Sequence, residues 1–451
     1  MQGLIAERPP RYGRKDADSI PEKLLARLWK QRAARQESFR TASGSRIRVI
    51  YSGREGTAAG PDFRDAILEI EGQGLVRGDV ELHVRQKDWR SHGHSSDPNY
   101  NGVVLHAALE VDSETTGLQS GRETPVVSLA QLLKPEDLDL NGGAGQSQVR
   151  PGIEPGGGAA SGMGLWELLY RKGYARPETA AEAGAMLDGA GDQRFHSNSR
   201  WFQTILAEQR PGGGHDQSYD DQTLYEGLME GLGYKNNQQP FLKLAQRAPW
   251  RVLAQRSADL PDKDRAAAVQ GWLSAVSGLA ATSGPDSGPG PGMSAATPRG
   301  LGPSMSRKEW RLSGLRPANH PLRRMAGAAS LVERYSQTGL VASLDLAARS
   351  GGAKALTACL AAGAGPGART AAIGQDRARD LAVNVALPFL FALSDGGDEA
   401  YLDLYRAYGK LQENELTREM ARLLLDPSWG PLVATARRQQ GMIHLHRVLI
   451  G

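Results

Sequence analysis

Between Gly60 and Asp112 the chain gathers the side chains whose types and spacing suit chemistry. Asp62 follows Pro61, Glu81 and His83 stand two apart, and His92, His94 and Asp97 come close behind. Four of the nine histidines fall here: His83, His92, His94 and His106. Residues two apart on a strand share a face. Glu81 and His83 therefore project together with Asp79 and Arg85, while Val80, Leu82 and Val84 face the other way. If Asp65 to Glu71 and Gly78 to Arg85 pair antiparallel about the Gly72-Gln73-Gly74 turn, Asp62 falls opposite residues 83 to 86, beside that polar face. Two carboxylates brought together repel unless a cation lies between them, and oxygen ligands favour Mg²⁺ or Mn²⁺. Such an ion activates water and offsets charge developing on a phosphoryl oxygen.

The histidines allow a second chemistry. His92-Gly93-His94 has the spacing of a metal-binding pair on an extended segment. With His83 or Asp97 it makes a three-ligand Zn²⁺ site with one open position. Against this stands the plainer reading that His92 and His94 satisfy backbone groups in a loop. His106 lies in the apolar run Val103 to Val111 and reads as a hydrogen-bonded core histidine. Trp89 reads as sheet packing rather than as a platform for a base.

The elements that must position these groups follow from the pattern of apolar residues. A helix is expected from Pro21 to about Gln36, capped by Ser19, with Leu24, Leu25, Leu28 and Trp29 as its apolar face. Strands are expected at Arg46 to Tyr51, Asp65 to Glu71, Gly78 to Arg85 and Val103 to Val111, and Val126 to Leu132 reads as a fifth strand or a connecting element. Residues 1–18 read as a basic flexible arm, 19–140 as an α/β domain, and 141–164 as a Gly/Pro-rich linker. Residues 165–451 read as a helical region with a disordered insertion at 283–306. Pro388 is expected to end or kink a buried helix over Leu381 to Leu393.

The chain has 451 residues and a net charge of +4, but its first 50 residues alone carry 12 basic against 5 acidic side chains. A basic face beside an acidic site suits a phosphodiester. Lys30, Arg85, Arg90, Arg323 and Arg324 are the candidate contacts to nucleic acid. The lone Cys359 excludes an internal disulfide, the first residues lack an apolar signal core, and no run is long and apolar enough to span a bilayer. These features lead us to expect a cytoplasmic protein with no membrane partner.

The order helix, strand, strand opening at Pro61-Asp62, strand with Glu81-Leu82-His83, further strand resembles the PD-(D/E)XK phosphodiesterase superfamily. That resemblance implies a restriction-endonuclease-like mixed sheet flanked by helices and metal-dependent cleavage of DNA or RNA. It would make Asp62 and Glu81 metal ligands, add the Leu82 carbonyl, and let Glu37 assist. His83 stands where the superfamily usually has lysine, in the position of the general base or water-orienting group. Longer stretches are similar to an uncharacterised bacterial family, domain of unknown function 2851. They include Gly60-Pro61-Asp62-Phe63, Gly78 to Val84, Asp88 to His94, Gly231 to Asn237, Arg316 to Asn319 and Gln439 to Leu445. The expectation is a metal-dependent nuclease. The alternatives are a Zn²⁺ hydrolase built on the histidines, or a catalytically silent nucleic-acid-binding module.

Overall fold

In the computed structural model the described residues are 22–33, 38–56, 60–132, 159–209, 216–280, 299–313, 315, 317–363, 371–394, 398–429 and 431–450. The basic arm, Ser19, Glu37 and most of the 141–164 segment lie outside them. The chain divides into two compact units. The first comprises residues 1–178 with 419–426 and 445–451, and the second comprises residues 179–418 with 427–444.

The first unit is built on a mixed sheet of eight strands among the described residues, in the order β1-β2-β4-β5-β6-β8-β7 with β3 pairing to β4. The strands are β1 (Phe39–Arg40), β2 (Arg46–Tyr51), β3 (Arg54–Glu55), β4 (Phe63–Ile70), β5 (Gly74–Arg85), β6 (Val103–Glu110), β7 (Thr115–Gly117) and β8 (Glu123–Ser128). Antiparallel pairing joins β2, β4 and β5, whereas β5, β6 and β8 run parallel. Parallel neighbours need a crossover. Residues 86–102 supply it between β5 and β6, and they hold a single helical turn, α2 (Asp88–Ser91). A preceding helix, α1 (Glu22–Arg32), buries Leu25, Leu28 and Trp29 as its apolar spacing demands. Leu25 and Trp29 share a core with Phe39, Ile47, Phe63, Val80 and Leu82. The Trp29 indole donates to the Ser52 carbonyl at 2.9 Å, which satisfies its polar end.

The β4–β5 register departs from expectation. The turn pairs Ile70 with Gly74, and Phe63 pairs with Val80 after a bulge between Phe63 and Ala66. Asp65 takes the left-handed conformation there, with φ of 59°. Its N–H donates to Asp79 Oδ1 at 3.2 Å and its carboxylate pairs with Arg54. One extra residue on β4 shifts the pairing by one place. The turn register alone would set Asp62 level with Leu82, and the bulge moves it one place further, so it meets Glu81 and Leu82 rather than residues 83 to 86. Gly78 is needed for close approach, because a Cβ there would sit 2.6 Å from the Gly102 carbonyl.

Helix α3 (Ala159–Arg171) begins inside the segment read as a linker and belongs to the first unit. The second unit is helical. Its core joins Phe195 and Phe202 of α4 (Ala180–Gln209), Leu224 and Leu228 of α5 (Gln217–Leu232), and Phe241 of α6 (Tyr234–Arg247). Trp250 and Trp272, from α7 (Trp250–Ala258) and α8 (Asp262–Ser277), complete one side. The Leu381 to Leu393 run is buried as expected, but Pro388 does not break it. A π-helical turn over Ala382–Ala386 precedes α-helix Leu387–Leu393, and Pro388 sits in that helix's first turn, where its missing N–H is harmless. At the end of the 283–306 segment, read as a disordered insertion, residues 299–306 pack against α6, α7 and α8. There Met305 is buried and its N–H donates to Val276 O at 2.7 Å.

Candidate metal centre

Glu81 and His83 project from β5 onto one face, as their spacing requires. β6 runs beside β5 in parallel, pairing Glu81 with His106 and His83 with Ala108. This puts the His106 ring at 5.1 Å from His83, between centroids. The crossover brings the remaining imidazoles. After α2 the chain reverses at Gly93, whose φ of 79° suits glycine, with His92 closing the helical turn and His94 opening the next. Both rings then face His83, at 5.1 and 5.3 Å between centroids. Trp89, 1% exposed, lies against His94 and His106. Tyr100 stacks on His94 at 3.9 Å. These rings are the packing that aims the histidines, and Trp89 is buried rather than offered to a base.

One nitrogen each of His83, His92 and His94 lies within 4.8 Å of the others. His83 Nε2 is 3.2 Å from His92 Nδ1. Glu81 Oε1 lies beside two of these rings, 3.4 Å from His94 Nε2 and 3.9 Å from His83 Nε2. Ligands about 2.0–2.1 Å from a tetrahedral Zn²⁺ lie roughly 3.4 Å apart, so the His83–His92 separation already matches an edge of such a site. The Glu81 carboxylate is oriented from behind, since its Oε2 accepts the Asp62 N–H at 2.9 Å. Asp62 Oδ2 in turn accepts the Leu82 N–H at 3.0 Å.

Burial dominates the electrostatics. His83, 1% exposed, is pushed down to about 2 by burial and then by His106, His94 and His92. Burial lowers His94 too, and takes His106 to about 4. At neutral pH these rings are uncharged, the form that binds metals. Glu81 is driven up to about 9 by burial and by the neighbouring Asp62 charge. A carboxylate in that position gains its charge most readily when a cation shares the site.

The remaining candidates lie elsewhere or are otherwise engaged. Asp79 faces the bulge at Asp65 and belongs to that local structure. Asp97 caps the turn after His94, accepting from the Asn99 backbone and side chain. Lys30 pairs with Glu55, and Arg85 with Asp88. Arg90 is exposed on α2. In the second unit Arg323 and Arg324 donate to the Ala371 and Ala372 carbonyls, and Arg324 also to Asn319. Arg437 and Arg438, the basic pair near the C-terminus, are held by Asp192 and Asp188. Asn237 exchanges two hydrogen bonds with the Arg311 backbone. His106 is the hydrogen-bonded core histidine that its apolar strand implies, bonded to His83 and Thr116, and its place beside His83 depends on which strand neighbours β5.

Residues 22–140 match the model of a family described as Protein of unknown function (DUF2851). The similar stretches at 231–237, 316–319 and 439–445 lie outside that match. No curated protein and no solved structure matches the chain. No helix among the described residues is long and apolar enough to cross a membrane.

Proposed function

We propose that the first unit is a metal-dependent hydrolase of phosphodiesters in nucleic acid, with its ion held by His83, His92 and His94, Glu81 beside them and one position open to substrate. One observation carries this reading: three imidazole nitrogens within 4.8 Å of one another, with the Glu81 carboxylate against two of them. Three nitrogen ligands suit Zn²⁺ or Mn²⁺ better than Mg²⁺, which prefers an all-oxygen shell. The bound ion would supply Lewis-acid charge to a phosphoryl oxygen.

The chain's own residues divide the rest of the work. His83 is closed to solvent and has His106 and His92 on its two ring nitrogens, so it serves as a ligand rather than as the base for water. Asp62 is exposed at the rim, beside Glu81, and is the carboxylate placed to take a proton from attacking water. The placing of Asp62 at the mouth of one strand and Glu81-Leu82-His83 within its neighbour resembles the motif of the PD-(D/E)XK superfamily. That resemblance supports a phosphodiester as the bond attacked and a restriction-endonuclease-like descent for the sheet.

The test is metal analysis of the purified chain, followed by cleavage of DNA and RNA oligonucleotides with Zn²⁺, Mn²⁺ or Mg²⁺. Cleavage that needs Zn²⁺ or Mn²⁺ and vanishes in Asp62→Ala and Glu81→Gln supports the proposal. Full activity in both variants sinks it. Metal retained without cleavage of either polymer would favour a silent binding module.

A further inference from the structure

Behind His83, on the side away from Glu81, buried polar groups form a row. His83 Nδ1 lies 3.0 Å from His106 Nε2, and His106 Nδ1 lies 2.8 Å from Thr116 Oγ1 on β7. The three residues are 1%, 0% and 6% exposed. Gln86 Nε2 lies 3.2 Å from Thr116 Oγ1 and shares its two hydrogens between that oxygen, Ser113 Oγ at 2.6 Å and the Thr115 carbonyl. The Gln86 amide has its orientation set by the backbone. Its oxygen accepts the Asp112 and Ser113 N–H groups at 2.9 Å each, and its nitrogen faces the Thr115 carbonyl at 3.1 Å.

A neutral imidazole carries one hydrogen, so this row has a direction. In one direction the Thr116 hydroxyl donates to His106 Nδ1, His106 Nε2–H to His83 Nδ1, and His83 Nε2–H to His92 Nδ1. His83 Nε2 is then protonated and closed to a metal. In the other, His83 Nδ1–H donates to His106 Nε2 and His106 Nδ1–H to Thr116 Oγ1, whose two lone pairs receive His106 and Gln86. His83 Nε2 then presents its lone pair toward His92, His94 and Glu81. Both directions hold the same number of protons and differ only in tautomer.

We infer that His106 and Thr116 are positioning residues that set the His83 tautomer, and that a divalent transition metal selects the direction exposing the His83 Nε2 lone pair. The inference rests on the metal-centre reading above. A second imidazole and a hydroxyl behind a metal-binding histidine orient the ring and raise its basicity, and loss of such partners typically weakens metal binding about 10–100-fold.

The experiment uses the full chain with Co²⁺ and Zn²⁺ as probes. Titration with Co²⁺, followed by its visible absorption, gives affinity and coordination. ¹⁵N imidazole spectra of the Zn²⁺ form report the tautomers. The expected result is Nδ1–H on both His83 and His106, about 10–100-fold weaker Co²⁺ binding in Thr116→Val, and restoration in Thr116→Ser. His106→Gln offers an acceptor to His83 Nδ1–H and should bind Co²⁺ more tightly than His106→Leu. Urea unfolding of each variant separates this from loss of fold. Wild-type affinity and an unchanged His83 tautomer in Thr116→Val would overturn the inference and leave the metal centre standing. If the wild type binds neither ion, the metal reading fails, and this inference with it.

Discussion

Asp62 and Glu81 hold each other across the opening of a β-bulge. The Asp62 N–H donates to Glu81 Oε2 at 2.9 Å, while Asp62 Oδ2 accepts from Leu82, the residue after Glu81, at 3.0 Å. Each carboxylate thereby fixes the backbone that carries the other. Glu81 is left with Oε1 directed at His94 and His83. The pairing couples the two charges as well, which is why Asp62 raises Glu81.

Asp62→Ala removes this brace and the proton acceptor at the rim. Cleavage should fall by about 100-fold or more, the usual span for a lost acid–base group. Because the Leu82 N–H loses its acceptor, stability should fall by about 1–3 kcal/mol, short of unfolding the domain. Steady-state cleavage rates beside urea unfolding decide it, and a rate within twofold of wild type would remove Asp62 from the mechanism.

Glu81 sets an alkaline limit on stability in the metal-free protein. The folded state keeps its proton up to about pH 9, whereas the unfolded chain releases it near 4.5. The folded state therefore binds more protons between those values, and stability falls as pH rises through them. His83 and His106 act oppositely. Below pH 6.5 the unfolded chain takes up protons that the buried rings refuse, so stability falls as pH falls. Urea unfolding at fixed pH values should show decline on the alkaline side of about pH 6.5, and Glu81→Gln should abolish that limb alone. An alkaline limb that persists in Glu81→Gln would contradict the assignment.

His94→Ala and His83→Ala should separate metal binding from folding. Both remove a nitrogen from the cluster and should abolish tight Zn²⁺ binding. His83→Ala also strands His106 in the interior, at about 1–3 kcal/mol for the unpaired group. His94 makes no such buried chain. Equal stability losses in the two variants, measured metal-free, would argue against the His83–His106 bond.

Trp89→Ala should destabilise the first unit by about 3–5 kcal/mol, the range for deleting a buried indole. The ring supports His94 and His106 together, so Co²⁺ affinity should fall with it. A variant of wild-type stability that loses only nucleic-acid affinity would instead make Trp89 a stacking platform.

Lys30→Ala breaks a half-exposed pair with Glu55 and should change stability by less than about 1 kcal/mol. If Lys30 meets phosphate, nucleic-acid binding weakens for all sequences and the salt slope falls by about 1. An unchanged slope removes α1 from the binding face.

The sequence by itself determined four central strands and their faces, whereas β1, β3 and β7 went unread and Leu129–Leu132 forms a 3₁₀ turn after β8. Alternation of Val80, Leu82 and Val84 with Glu81 and His83 dictates which side chains project together, since a strand repeats every two residues and its apolar set must be buried. The leucines and tryptophan of α1 likewise announced their helix, which is described over Glu22–Arg32. Tertiary structure decided the register and the convergence. The bulge at Asp65 moved Asp62 onto Glu81, and nothing in the spacing of β4 foretells one residue left over. Parallel pairing of β5 with β6 set His106 behind His83, and the crossover folded His92 and His94 over the front. Those contacts join residues far apart along the chain, and they form only where the core chooses which strand lies beside which.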